Sequence, residues 1–308
     1  MKFFILTFLF FVNSDLVSAQ ISNPSFGKII YYSDFTSRFV KQRNVDVWLP
    51  EDYTTEKKYA VLYMHDGQML FDSSITWNKQ EWGVDEVLTQ LIKKKKIHDC
   101  IVVGIWNGGT SRHSEYFPQK PLNYLSKEKK DSLYLSLRPN GQEVFQGEAV
   151  QSDKYLKFIT EELKPFIDKT YSTKTEKQYT FIAGSSMGGL ISLYAICEYP
   201  DIFGGAACIS THWPGIFSLE NNPIPDIFIK YLEEHLPSPK NHRIYFDHGT
   251  ATLDSFYPPI QKNVDEVMKR KGYNKKNWLT REFPGANHSE TAWRARLEIP
   301  IMFLLRRK

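Results

Sequence analysis

A chain of 308 residues with 42% hydrophobic and 24% charged residues has the composition of an average globular protein, which excludes a disordered, fibrous or low-complexity chain. A formal charge of +4 spread over that length is mild, and no RNA- or DNA-binding signature accompanies the longest basic run, Lys93–Lys96, so no nucleic-acid partner is expected. That run reads as the solvated end of a surface helix, where cations complement the dipole.

The first residues, "MKFFILTFLFFVNSDLVSAQ", place Lys2 before an apolar run and small residues at Val17-Ser18-Ala19. This order predicts a signal peptide over 1–19, cut after Ala19, and therefore a secreted or periplasmic mature chain. No later stretch offers eighteen consecutive apolar residues, so no stable membrane insertion is expected. "GKIIYYS" and "SRFVKQRNVDVWLP" alternate in the manner of an antiparallel hairpin. "YAVLYMHDG" then predicts a buried strand, "WGVDEVLTQLIKKKK" an amphipathic helix and "DCIVVGIW" a second buried strand, the rhythm of a mostly parallel sheet covered on both faces. Residues 107–149 break that rhythm as a long inserted loop region. Helical spacing returns from Tyr155 to Ile167, followed by the strand "YTFIAGS", a small-residue helix, and the strand "GGAACIS". A helix near Ile227–Leu236, the strand "RIYFDHG", a helix around Val264–Lys271, the strand "NWLTREFPG" and a closing helix complete the chain. A single domain over 20–308 is the simplest division. Cys100, Cys197 and Cys208 are odd in number, apolar in context and without zinc spacing, which predicts buried free thiols.

Within "YTFIAGSSMGGLISLYAI", Gly184-Ser185-Ser186-Met187-Gly188 fits G-x-S-x-G with Ser186 at its centre, while Ser185 does not fit. At about 7% each of glycine and serine, such a match arises by chance in roughly one chain in ten of this length. Context sharpens it, because a buried strand precedes the motif and an apolar helix follows, as a strained strand-to-helix turn requires. A phosphate cradle would want a lysine before the final Ser or Thr, or G-x-G-x-x-G, and neither is present.

A serine hydroxyl needs a histidine base, and the base needs a carboxylate to fix its tautomer. In the chain order Ser, acid, His, five of the eight histidines are misplaced, and of His212, His248 and His288 only the last follows the final strand, in "FPGANHSETAW". For the acid, Asp247 and Asp254 both lie near the carboxyl end of "RIYFDHGT"; Asp254, beyond Gly249 in the turn "GTATLDS", is favoured. Two backbone N–H donors should face the developing oxyanion: one on Met187, the other in "HDGQ", on Gln68 or alternatively Gly67. His65 and Asp66 lack a third ligand of recognised spacing, so no metal is expected, and no step requires a cofactor. Among aromatic residues, Trp106, Tyr116, Phe117, Trp213 and Tyr257 are candidates to stack on substrate or simply to pack. Arg112 is a candidate for an anionic substrate or for an ion pair with Glu115.

Taken together, "LYMHDGQMLFD", "VVGIWNGGTSRHSEYFP", "IAGSSMGGLISLYA", "IYFDHGTATLD" and the histidine of "PGANHSE" resemble the esterase D or enterochelin-esterase-like family of α/β-hydrolases, which includes feruloyl and acetyl-xylan esterase domains. The resemblance spans roughly residues 27–305. It implies an α/β-hydrolase fold with Ser186 as nucleophile, His288 as base, the acid in the segment holding Asp254, and the "HDGQ" loop as oxyanion element. It also implies that Asn107, Arg112, Glu115 and Tyr116 line the cleft. The expected activity is serine carboxylic-ester hydrolysis of a small-molecule or carbohydrate-linked ester, from a siderophore or from the plant cell wall. The alternatives are an acyltransferase using the same residues and a non-catalytic binding module.

Overall fold

In the computed structural model, which describes residues 21–307, the leading segments pair as an antiparallel hairpin of β1 (Lys28–Phe35) and β2 (Arg43–Leu49). The leader over 1–19 lies outside the described residues. Next come β3 (Ala60–His65), α1 (Val84–Lys93) and β4 (Cys100–Ile105). Residues 107–149, expected as an irregular insertion, carry two short helices, α2 (Arg112–Tyr116) and α3 (Lys127–Tyr134). In the second of these, the Ser126 side chain caps the first turn by accepting from the Lys129 N–H.

The helical spacing from Tyr155 to Ile167 appears as α4 (Ser152–Lys157), a π-helical segment Phe158–Leu163 and α5 (Lys164–Thr170), running on without a break. Pro165 accounts for the wider turn, since it has no N–H to give the preceding turn. The remaining elements are β5 (Thr180–Ser185), α6 (Met187–Glu198), β6 (Gly205–Ile209), α7 (Ile224–His235), β7 (Arg243–Gly249), α8 (Tyr257–Arg270), β8 (Trp278–Phe283), α9 (Glu290–Arg294) and α10 (Glu298–Leu305).

One eight-stranded sheet collects every strand in the order β1-β2-β4-β3-β5-β6-β7-β8. β2 runs antiparallel to β4, and every pairing from β4 onward is parallel. This is the α/β-hydrolase fold, with its antiparallel hairpin at one edge. All residues of β3, β4, β5 and β6 are buried, which explains their nearly continuous apolar runs. Alternation divides each strand between the two faces. Val61 and Tyr63 join the core under α4 to α8, whereas Ala60, Leu62 and Met64 join the core under α1 and α10. Each large apolar side chain so removed from water contributes about 1.5–3 kcal/mol. Cys100, Cys197 and Cys208 are buried free thiols. No helix among the described residues is long and apolar enough to cross a membrane.

Candidate active site

The carboxyl ends of the parallel strands open into a cleft of about 760 Å3. Ser186 sits between β5 and α6 at φ 57° and ψ −122°, a conformation that L-residues rarely adopt. Such strain costs on the order of 1–3 kcal/mol and persists only where the surroundings enforce it. Here the Ser186 N–H donates to the Ile209 carbonyl at 2.9 Å and its own carbonyl accepts from the His212 N–H at 3.1 Å. The turn is also closed by glycine. A Cβ on Gly184 would stand 2.9 Å from the Gly188 backbone, and one on Gly189 would stand 2.8 Å from Thr211 Oγ1. At Gly188 itself the nearest atom would be His65 Cβ at 3.4 Å, so the second tight position falls one residue beyond the motif's own glycine.

His288 follows β8 and reaches the same cleft. Its N–H donates to Thr252 Oγ1 at 2.9 Å, and its ring stands edge-on to Trp293, centroids 5.0 Å apart. Nδ1 lies 2.5 Å from Asp254 Oδ1. With the carboxylate on that side, Nδ1 carries the proton and donates it, which leaves Nε2 as an acceptor on the other side of the ring. Asp254 lies in a short turn after β7, fully buried, and its Oδ2 accepts from the Gly249 N–H and from the Ser210 hydroxyl, each at 2.6 Å. Burial pushes this carboxyl up, but the hydrogen bond and charge of His288, with those two donors, outweigh it and hold the group below its ordinary range.

The other candidate acid is engaged elsewhere. Asp247, inside β7, accepts from Arg296 Nη2 at 3.0 Å and from the Tyr245 hydroxyl at 2.9 Å, and burial raises its pKa despite the arginine. Ser210 links the two carboxylates, because its Oγ donates to Asp254 while accepting from Arg296 Nη2 at 2.8 Å and Trp293 Nε1 at 3.0 Å. Neither Ser210 nor Arg296 was flagged by sequence, and no local pattern could have done so across separations of 44 and 86 residues. Among the described residues no hydrogen bond joins Ser186 to His288, while the nearby Tyr257 hydroxyl meets His212 Nδ1 at 2.9 Å. Such catalytic contacts commonly tighten only when substrate is bound.

The loop after β3 forms the facing wall. Asp66 holds a left-handed conformation at φ 56°, followed by a tight turn over Gly67–Met69. Its carboxylate accepts from Arg112 Nε at 2.7 Å, Arg112 Nη2 at 2.8 Å and Asn107 Nδ2 at 2.8 Å, so three of the cleft's polar side chains brace one another. Burial raises the Asp66 pKa, but the forked ion pair with Arg112 prevails and the carboxyl lies below its usual range. A Cβ on Gly67 would collide with the Gly104 backbone at 2.5 Å, which fixes this residue against β4 and leaves Gln68 lining the cleft. Met187 is the first residue of α6, and an N–H at that position has no carbonyl within its own helix.

Several expectations are corrected. Trp213 does not line the cleft: it is 1% exposed, and its indole N–H donates to Gln261 Oε1 at 3.0 Å inside the core. Of the aromatic residues left open between stacking and packing, Tyr116, Phe117 and Tyr257 are buried, which takes Tyr116 off the cleft wall, and the Trp106 indole N–H is committed to Asp46 at 2.9 Å. Arg112 does not pair with Glu115, which forms a buried two-pronged pair with Arg43 at 2.7 and 2.8 Å. Trp77, Phe217 and Leu253 contribute apolar lining to the cleft beside Met69, Trp82 and Trp293, with Trp77 84% exposed at the rim. Trp77 and Phe217 sit in irregular segments and Leu253 in the short turn after β7, where no periodicity marks them. Among the described residues no group of acidic, histidine and cysteine side chains could hold a metal ion.

The model of the family described as Putative esterase matches residues 36–301. The uncharacterized protein YbbA of Bacillus subtilis (strain 168) is 25% identical over 254 residues, covering 80% of this chain and 86% of that protein. An IroE-like serine hydrolase from Shewanella oneidensis superposes with a TM-score of 0.66 at 17% identity, covering 90% of this chain and 79% of the other. The ferulic acid esterase AmCE1/Fae1A from Anaeromyces mucronatus, solved in complex with ferulic acid, gives 0.60 at 19% identity over 92% of each chain.

Proposed function

The chain belongs to the Putative esterase family, and from that premise we propose that it is a serine carboxylic-ester hydrolase working through an acyl-enzyme. Ser186 Oγ attacks the ester carbonyl while His288 Nε2 takes its proton. Asp254, through its bond to Nδ1, keeps the imidazole in the required tautomer and stabilises the imidazolium as it forms. The amides of Met187 and Gln68 receive the developing oxyanion. His288 then returns the proton to the leaving alkoxide, and water activated by the same Nε2 releases the acid.

The observation that carries this reading is the convergence, in one cleft, of a serine on a strained strand-to-helix turn and a histidine already bonded to a buried carboxylate. The substrate is an ester of a siderophore or of cell-wall carbohydrate, met outside the cytoplasm after removal of residues 1–19. Support for that class comes from the apolar and aromatic lining at Trp77, Phe217 and Leu253, and from neighbours named for ferulic acid and for serine hydrolysis. The test is a hydrolysis panel of acetyl, feruloyl and catecholate-trilactone esters with Ser186→Ala as control, alongside fluorophosphonate labelling. Loss of both labelling and hydrolysis in the variant is expected. Hydrolysis that survives the substitution overturns the mechanism.

A further inference from the structure

The amino ends of β5 to β8 enclose a second cavity of about 520 Å3, whose lining among the described residues includes Lys177, Lys240, Arg243, Lys276 and Arg306 but no carboxylate. Arg243 begins β7 and Gly249 ends it, so this basal cavity lies about 20 Å along the strand from the catalytic end. Three of these cations are held by carbonyls. Arg243 Nη1 donates to Leu304 O at 2.8 Å, Arg306 Nη2 to Lys276 O at 2.6 Å, and Lys177 Nζ to Pro200 O at 3.2 Å. One carboxylate reaches the group, Asp201 at 3.4 Å from Lys177, and it is 96% exposed and correspondingly weak.

The cavity is built into the fold. A Cβ on Gly205 would stand 2.8 Å from Arg243 Cγ, so this glycine is what lets the arginine stem lie across the strand ends, and one on Gly204 would meet Lys177 O at 2.3 Å. Burial and the proximity of Arg306 both press on the Arg243 guanidinium, lowering its pKa. Like charges gathered in a half-buried hollow repel one another, the exposed Asp201 offsets little of that repulsion, and an anion relieves it. The hollow is larger than a bare inorganic ion needs. Between the cations it presents the amides of Gln178, Asn241 and Asn274, which can both donate to and accept from hydroxyl groups.

We propose that this basal cavity binds an anionic carbohydrate, its carboxylates on the Lys240, Arg243, Lys276 and Arg306 cations and its hydroxyls on the flanking amides, independently of the ester cleaved at the opposite end. The site holds the enzyme on a charged polymer without occupying the catalytic cleft.

Calorimetric titration of the full chain with a trimer of uronic acid, with neutral xylotriose and with inorganic phosphate separates the possibilities. The uronate trimer binds and xylotriose does not, and raising the salt weakens the binding. Because Arg243 is packed against the sheet, the test variant is the exposed pair Lys240→Glu with Lys276→Glu, which weakens uronate binding at least about tenfold and leaves hydrolysis of p-nitrophenyl acetate unchanged. Equal binding of xylotriose, phosphate binding as tight as uronate, or an unaltered affinity in the double variant overturns the proposal.

Discussion

The two ends of the same parallel strands are built on different terms. At the carboxyl ends, Asp66 after β3, Ser186 after β5, Ser210 after β6 and Thr252 after β7 all have positive φ, at 56°, 57°, 40° and 53°. No residue immediately before any of these strands does so, among those described. At the carboxyl ends charges are paired and largely buried, as in Asp66 with Arg112 and Asp247 with Arg296, whereas around the cavity at the amino ends of β5 to β8 they are more exposed and mostly cationic, three of them bonded to carbonyls. Strain and buried charge accumulate where side chains must be held in one arrangement for reaction, and the rest of the fold bears their cost.

The sharpest break of that contrast lies at Ser186. Ser186→Ala should lower kcat by about 10^4-fold or more while the chain stays folded, measured by steady-state kinetics on an activated ester and by circular dichroism. Ser186→Gly should abolish activity equally but raise the melting temperature, because glycine takes φ 57° without strain. A lower melting temperature in the glycine variant would mean that the turn stores no strain.

The two carboxylates of the β7 region should part company. Asp254→Asn is expected to reduce kcat by roughly 10^3–10^4-fold, through the wrong histidine tautomer, and to cost about 2 kcal/mol of stability at neutral pH because the folded carboxyl is held below its ordinary range. Asp247→Asn should instead destabilise by about 3 kcal/mol, by leaving Arg296 buried without its charge partner, with the folded fraction still active. The reverse pattern in urea titrations and kinetics would exchange their roles.

Asp66 gives a pH signature. Its pKa is lower folded than unfolded, so the stability it confers is complete above about pH 4, the ordinary carboxylate value, and is lost as pH falls through the depressed folded value. Asp66→Asn should cost about 2 kcal/mol at neutral pH and flatten that acid limb of the stability curve. Smallest is Ser210→Ala, which removes one of the donors holding Asp254 and should lower kcat by roughly tenfold or less with KM unchanged. A loss confined to KM would show that Ser210 acts on substrate rather than on the acid.

Much of the site was legible before the structure, because its requirements are local. A serine at a sharp turn needs particular glycine spacing, and the order of nucleophile, acid and base follows the order of strand ends. Trp213 shows the limit: its hydrophobicity was visible, but the direction it faces depends on how the loop after β6 meets α8. Arg43 and Glu115, 72 residues apart, carry no mark of their partnership in either neighbourhood. Residues 107–149 concealed α2 and α3 because helices of five and eight residues, one of them strongly polar, show too little periodicity to be recognised.

What the sequence by itself determined was the alternation of buried strands with amphipathic helices and the placing of Ser186, a carboxylate and His288 in chain order after three of the later strands, since both follow from backbone geometry over a few residues. Only the tertiary structure set Asp254 beside His288 and Asp247 beside Arg296. The register that sets Ile209 beside Asp247 turns that aspartate toward Arg296, and a short turn beyond β7 delivers Asp254 to the imidazole. Nothing local distinguishes the two. A carboxylate's role is fixed by the charge it meets, and that meeting is arranged by strands far apart in sequence.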